Sequence, residues 1–347
     1  MDTPEVGPGN RPPRLTGAKR QHYLPRMYLQ GFEANGSLAV YDRKTGDIRL
    51  QTAHNTALTG HLYTFEDESG RKRFELEELL SNIESKMAIS IPRLLAGSFD
   101  ANDVETLICF IAFMEIRTPS ALDVTKQVKA KFVDTTVQAI TRTPERARQA
   151  LAAMYRHNGT VRTEEELTEE VYRIVEFAQG GHYEIVVDDQ FALMQNFKLW
   201  EVIYKALKEK DILLVRPRDP RSRYITCDAP VILESASGNS SVGFGSPDAK
   251  IMFPLTADCL IAFEGKGSRM GHASASAEHV VRINEVLARS AHRYAISSDE
   301  RQLRALTQRL NLHGTLPHPR YEAGTILTDE GAIGYARRVL PHRLHPR

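Results

Sequence analysis

Residues 19–29 read Lys-Arg-Gln-His-Tyr-Leu-Pro-Arg-Met-Tyr-Leu, an amide, an imidazole and guanidinium groups set among aromatic side chains. A neutral imidazole such as His22 accepts a proton as a general base, and a guanidinium such as Arg26 holds a carboxylate or phosphate. The same groups serve equally as hydrogen-bonded anchors that tie an N-terminal segment to the body of a fold. A lone acid, Asp228, stands between two apolar runs in Tyr224-Ile225-Thr226-Cys227-Asp228-Ala229-Pro230-Val231. With Pro230 two residues on, the segment does not simply continue a ladder. Asp228 there suits a metal ligand or a general base, or a turn in which it accepts nearby backbone N–H groups. Glu75, Glu77, Glu78 and Glu84 share one helical stretch. Paired carboxylates on one helix face can hold a divalent ion, but a Glu-rich first turn is also what the helix dipole favours. Glu84 is the member expected to face inward, beside Leu80. Glu115 and Arg117 close an otherwise apolar helix, where a charge needs a partner.

Several chemistries lack their signatures. No G-x-x-x-x-G-K-[ST] is present, and no G-x-G-x-x-G opens a helix. H-E-x-x-H and G-x-S-x-G are also missing. Cys109, Cys227 and Cys259 are far apart, with no C-x-x-C and no zinc spacing, and read as free buried thiols of a reducing compartment. The formal net charge of +1 makes no global case for nucleic acid or an anionic membrane, though a local basic groove stays compatible. No run of about 18 apolar residues predicts a membrane span, and the N-terminus lacks an apolar signal core. The expectation is a cytoplasmic chain with no membrane partner.

The elements that must position these residues read as α+β. Residues 1–18, rich in Pro and Gly, are expected to be disordered. A single domain is expected over residues 19–312. Ser37 to Thr52 alternates as a hairpin, and His61 to Phe65 reads as a short strand. A helical section follows over about residues 74–208. Its first helix carries Leu76, Leu79, Leu80, Ile83, Met87, Ile91 and Leu94 at three-and-four spacing. Asn102 with Glu105 predicts a capping box for Val104 to Arg117, and Thr163 with Glu166 another. Thr143-Pro144 reads as an N-cap with Pro at the first helical position. In Val187 to Lys208, Phe191, Met194, Phe197, Trp200, Tyr204 and Leu207 are expected inward. Short strands occupy about residues 211–297, interrupted by the Gly/Ser loop Ser235 to Asp248 and a helix from Ala275 to Ala291 with supporting pairs Glu278–Arg282 and Glu285–Arg289. Ser297 with Glu300 predicts a last cap, and residues 313–347 a weakly patterned tail. The N-terminal hairpin and the later strands are expected to form a mostly antiparallel sheet around a large helical middle.

The run from Gln21 to Leu29, then Phe32, resembles the opening signature of the domain-of-unknown-function 4238 family, roughly Q-H-Y-V-P-R-F-Y-L-x-x-F. Further features follow in the family's order: Leu38 to Asp42, Tyr63, Glu75 and Glu84, Arg117-Thr118-Pro119, Asp228-Ala229-Pro230-Val231, Pro254-Leu255 and Asn284. Cys227 stands where the family usually has Ser. The resemblance spans about residues 19–300 and implies a widespread bacterial family with no assigned reaction. It adds Asn284 to the candidate residues.

If the fold gathers these segments, His22, Asp228 and Glu84 would be catalytic, and Gln21, Arg26, Arg117 and Asn284 would bind substrate. Asp228 and Glu84 would take a divalent cation. That set suits a hydrolase, with metal-assisted phosphodiester cleavage the leading form. The rivals are a non-catalytic binding or accessory protein whose polar cluster is a structural lock, and a small-ligand sensor using the Ser235 to Asp248 loop.

Overall fold

The structure, a computed structural model, describes residue 17, residues 19–67, 69–181, 183–238 and 242–313, and the backbone of 320–328 and 331–339. The expected disordered segment, residues 1–18, lies outside the described residues except for Gly17. The chain opens with β1 (Arg20–His22) and α1 (Arg26–Gln30), then the hairpin β2 (Leu38–Asp42) and β3 (Ile48–Gln51). Short strands β4 (Leu58–Gly60), β5 (Phe65–Glu66) and β6 (Lys72–Arg73) follow. The helical section comprises α2 (Glu75–Ala96), α3 (Ala101–Ile116), α4 (Pro119–Ile140), α5 (Pro144–His157), α6 (Glu164–Gly180) and α7 (Asp189–Lys208). After it come β7 (Asp211–Pro217), β8 (Thr226–Cys227), β9 (Ile232–Ser235), β10 (Ala249–Thr256), β11 (Cys259–Glu264) and β12 (Met270–Ala275). The chain continues through α8 (Ala277–Ser290), β13 (Tyr294–Ser297) and α9 (Glu300–Leu310) to the hairpin β14 (Arg320–Thr328) and β15 (Gly331–Val339). The fold class is α+β. The late hairpin replaces the weak pattern expected of the tail.

The later strands divide between two sheets. The N-terminal hairpin joins β13 and β8 in the order β3-β2-β13-β8, and a second sheet runs β12-β7-β11-β10-β9. Pairing is antiparallel except for β12, which lies parallel to β7. Burial on both faces explains the near-continuous apolar runs of the second sheet. Ile212, Leu214, Ile251, Phe253, Ile261 and Phe263 point into a core shared with α1, α2, α3 and α7. The alternate residues, Val215, Met252, Leu260 and Ala262, point into a second core with α8, α9 and the β13 sheet. This period of two assigns each strand residue to one layer or the other. Tyr28 of the opening motif is fully buried in the first core. Its hydroxyl donates to the Pro254 carbonyl at 2.9 Å and lies 2.6 Å from the Thr226 hydroxyl.

Helix caps account for most boundaries. Thr118, Thr143 and Thr163 cap α4, α5 and α6, the first two with Pro at the first helical position. Gly97 closes α2 at φ 72°, a left-handed conformation that favours glycine. Two caps differ from expectation. Asp100 with Asp103, not Asn102 with Glu105, forms the box at α3. An aspartate at the third helical position reaches back as well as the Glu of the sequence pattern, so the helix begins at Ala101, three residues before the expected Val104. Likewise Asp299 caps α9, while Ser297 accepts from the Asp299 N–H and donates to Gln302.

Some side chains also turn elsewhere. Phe191 and Met194 of α7 are 45% and 49% exposed, because the packed stripe of that helix runs through Ala192, Leu193, Asn196, Ile203 and Leu207. On α8, Arg282 pairs with Glu234, and Glu285 pairs with Arg309 across to α9, in place of the expected pairs at four-residue spacing. His61 to Tyr63 form a turn between β4 and β5, so of the strand expected from His61 to Phe65 only Phe65 lies in one.

Candidate functional site

β1 pairs antiparallel with β4, placing Gln21 opposite Thr59 and His22 opposite Leu58. That pairing turns the Gln21 amide inward, where it is buried. Its Oε1 accepts the Tyr63 N–H at 2.7 Å, and its Nε2 donates to the Thr64 hydroxyl at 3.2 Å and to Glu77 at 3.1 Å. One amide thereby fastens β1 to the β4–β5 connection and to the first turn of α2.

Arg117 follows the last residue of α3 and is the centre of the same network. Its Nη1 donates to Glu84 at 2.7 Å, its Nη2 to the His22 carbonyl at 2.7 Å, and its Nε to the Tyr63 hydroxyl at 3.0 Å. The Tyr63 hydroxyl donates in turn to the Arg117 carbonyl at 3.2 Å. The guanidinium carbon lies 5.1 Å from the centre of the Tyr63 ring. Burial alone would lower the Arg117 pKa, but Tyr63 and Glu84 more than offset it and the value is raised. The guanidinium is therefore a compensated buried charge, and Glu84 is its counter-ion. His22 is half-buried, with Nε2 3.1 Å from the His54 carbonyl. Burial lowers its pKa, against the raising effects of that carbonyl and of Glu84. Arg26, at the start of α1, is exposed.

Asp228 lies in a different place, just past β8. Its Oδ1 accepts the His292 N–H at 2.7 Å, and its Oδ2 accepts those of Arg293 at 2.7 Å and Tyr294 at 2.9 Å. These donors belong to the turn from α8 into β13. Arg43 grips the other side of that turn, donating to the carbonyls of Arg289 at 3.1 Å and Ala291 at 2.8 Å. A carboxylate on the N–H groups and a guanidinium on the last helical carbonyls thus clamp the end of α8 from both sides. Burial raises the Asp228 pKa, opposed by His292 and the three N–H groups. Burial also pulls Arg43 down to about 10. Asn284 of α8 makes a third tie, accepting the Ile225 N–H at 3.0 Å and donating to the Arg223 carbonyl at 2.8 Å.

Gln21, His22, Glu84 and Arg117 therefore come together. Asp228 and Asn284 are joined to other segments, so the expected single cluster is two networks and a separate tie. Glu84 serves Arg117 and Asp228 serves backbone N–H groups, a donor set that does not suit a shared cation. Among the described residues, no group of His, Cys, Asp and Glu is arranged to hold a metal ion. Sequence reasoning missed Arg43 and the pairing of His292 with Asp123, whose Nε2–Oδ2 distance is 3.4 Å. The signal for Arg43 was an arginine at the tip of a hairpin beside a buried strand; nothing local marks the pairing.

The sequence profile described as "Protein of unknown function (DUF4238)" matches residues 20–301. The chain belongs to the DUF4238 family. No curated protein and no solved structure matches the chain. The DUF4238 match begins at β1 and ends within α9, so it takes in both networks and the Asn284 tie. Among the described residues, no helix is long and apolar enough to cross a membrane.

Between the two networks lies a hollow of about 300 Å³. Its walls are the end of α3, the first turns of α4, the middle of α7, Ala229, and Phe244 with Gly245. Ile116 and Thr118, on either side of Arg117, line it, as does Ala229 beside Asp228. A second hollow of about 490 Å³ sits at the edge of the β12–β9 sheet, lined by Asp211, Asp248, Lys250 and Glu264 among others. Those charges are paired there: Asp211 with Arg269, Lys250 with Glu264, and Asp248 with the hydroxyls of Ser235 and Ser237.

Proposed function

We propose that this DUF4238 chain is a non-catalytic small-ligand-binding protein. The family's signature residues act in it as structural locks, and the hollow between α3, α4 and α7 is the binding site. One observation carries this reading. The side chains of Gln21, Arg117, Asp228 and Asn284 bond to groups within the chain, while Ile116, Thr118 and Ala229, their neighbours in sequence, line the hollow. Buried polar groups satisfied in this way hold a wall still; they do not offer lone pairs to a substrate. A site with pre-set walls binds with less loss of conformational freedom.

Native mass spectrometry of the purified full chain tests it. A retained small molecule is expected, and it should be lost in Val124→Trp, where the larger ring fills the hollow. Divalent-cation-dependent phosphodiester cleavage that vanishes in Asp228→Asn, with the melting temperature unchanged, would sink the reading.

A hydrolase, with metal-assisted phosphodiester cleavage as its form, is the second reading. It is favoured by His22, whose half-buried imidazole has a lowered pKa and is therefore neutral near pH 7, as a general base must be. Loss of a measured hydrolysis in His22→Ala, with the fold intact, would support that reading over the first. Nucleic acid as its substrate draws no support from a net charge of +1.

A further inference from the structure

Helix α7 carries two apolar faces. One, through Ala192, Leu193, Ile203 and Leu207, is buried in the first core. The other is bare: Phe191, Met194, Leu199 and Val202 are 45%, 49%, 50% and 64% exposed. At about 100° per residue these side chains fall within roughly 140° of the helix circumference, with Gln195 and Lys198 among them. They extend roughly 17 Å along the axis. Single exposed apolar side chains need no explanation, but a stripe of them on a helix already buried along its opposite face marks a contact surface.

The stripe has a symmetry of its own. Phe191, Met194, Leu199 and Val202 are spaced three, five and three residues apart, a pattern that reads the same from either end. Gln195 and Lys198 obey the same symmetry about the midpoint between Asn196 and Phe197. So do two exposed charges at the ends, Asp188 at the N-cap and Lys205 in the last turn. A second α7 laid antiparallel across the first therefore sets Phe191 against the second copy's Val202, Met194 against its Leu199 and Gln195 against its Lys198. Each pair occurs twice, as a two-fold axis requires. Asp188 then meets Lys205 at both ends, whereas a parallel arrangement would set like charges together. Lys205 already donates to Glu201 at 2.5 Å, and an ammonium has donors to spare.

From this symmetry we infer that a second copy of the chain covers the stripe, α7 against α7 about a two-fold axis. The inference goes beyond the binding reading and does not rest on it. It bears on the same hollow, because Leu199 and Val202 line it. Met194 and Phe191 of the second copy then border the hollow and narrow its mouth. The contact is small for a dimer, so the association is reversible and weak, with Kd in the micromolar range.

Sedimentation equilibrium of the full chain, from about 1 to 300 µM, reads the association. A rise from one to two chain masses is expected. Met194→Glu should weaken it at least about tenfold, by setting a carboxylate against an apolar side chain, while the circular dichroism stays that of the parent. A disulfide tests the register. In the double variant Met194→Cys with Leu199→Cys, the two positions of one copy are about 7.5 Å apart in helical rise alone, too far for a bridge within the chain. Across the axis, position 194 of one copy lies against position 199 of the other. Oxidised glutathione should therefore link the double variant into a dimer through 194 and 199, identified by peptide mass spectrometry, and leave each single variant unlinked at its own position. A chain that stays monomeric throughout overturns the inference, and is the outcome if a different protein or a lipid surface covers the stripe. A dimer that Met194→Glu leaves unchanged overturns it too, as does a single variant that links to itself as readily as the double one. A dimer that retains no small molecule in native mass spectrometry upholds this inference and removes the binding reading; a monomer that retains one does the reverse.

Discussion

The two buried networks solve the same problem with different materials. Around Arg117 a cation is neutralised by side chains and a carbonyl brought from β1, the β4–β5 connection and α2. Around Asp228 an anion is held by three consecutive backbone N–H groups of one turn. Side-chain partners can adjust or reorient when one is changed, whereas backbone donors are fixed by the turn that carries them. The Arg117 network should therefore depend on charge balance, and the Asp228 clamp on the acceptor character of both carboxylate oxygens. Each is a buried charge whose partners span the sequence, so each also fastens remote segments together.

The largest effect should come from Arg117→Ala, which strands Glu84 and leaves the His22 carbonyl and Tyr63 hydroxyl without their donor. A loss of about 3–5 kcal/mol in denaturant unfolding is expected. Arg117→Lys should recover only part, because an ammonium lacks the three-way fork. A loss below about 1 kcal/mol would show that the network is not a lock. Asp228→Asn comes next. It replaces one acceptor oxygen with an NH₂ facing backbone donors, for an expected loss of about 2–3 kcal/mol. If Asp228→Asn matched the parent in chemical denaturation, the distinction between backbone-held and side-chain-held charges would break.

Asn284→Ala should cost about 1–2 kcal/mol by unfolding, since Gln302 also donates to the Arg223 carbonyl and part of that tie survives. The smallest effect is a pH dependence at His22. Its folded-state pKa lies below the ordinary 6.5, chiefly through burial. The unfolded chain therefore takes up this proton first as the pH falls. The stability contributed by neutral His22 is complete above about pH 6.5 and is lost as the pH drops toward the lowered folded value. Melting curves of His22→Gln against the parent should converge in acid and separate above that window. A gap that instead widened in acid would reverse the sign of the burial effect.

Local signals in the chain specify much of the scaffold. The period of α2, the Thr caps of α4, α5 and α6, and the alternation of the β2–β3 hairpin are all decided by nearest neighbours, so they are legible along the chain. The misjudged caps at Asp100 and Asp299 each lie two residues from the expected ones, because Asp, Asn and Ser compete on nearly equal terms at a helix start. The exposure of Phe191 and Met194 was not legible, since which stripe of a helix is buried depends on what packs against it.

By itself, then, the sequence determined that the chain is α+β, that it belongs with a signature running from Gln21 to Leu29, and which polar residues would need partners. Only the tertiary structure decided who those partners are. It set Arg117 on Glu84 and His22, gave Asp228 the N–H groups of His292 to Tyr294, and left an apolar hollow between them. The physical reason is range. Caps and periodicity act within a few residues, whereas the partner of a buried charge is fixed by long-range packing that no local pattern encodes.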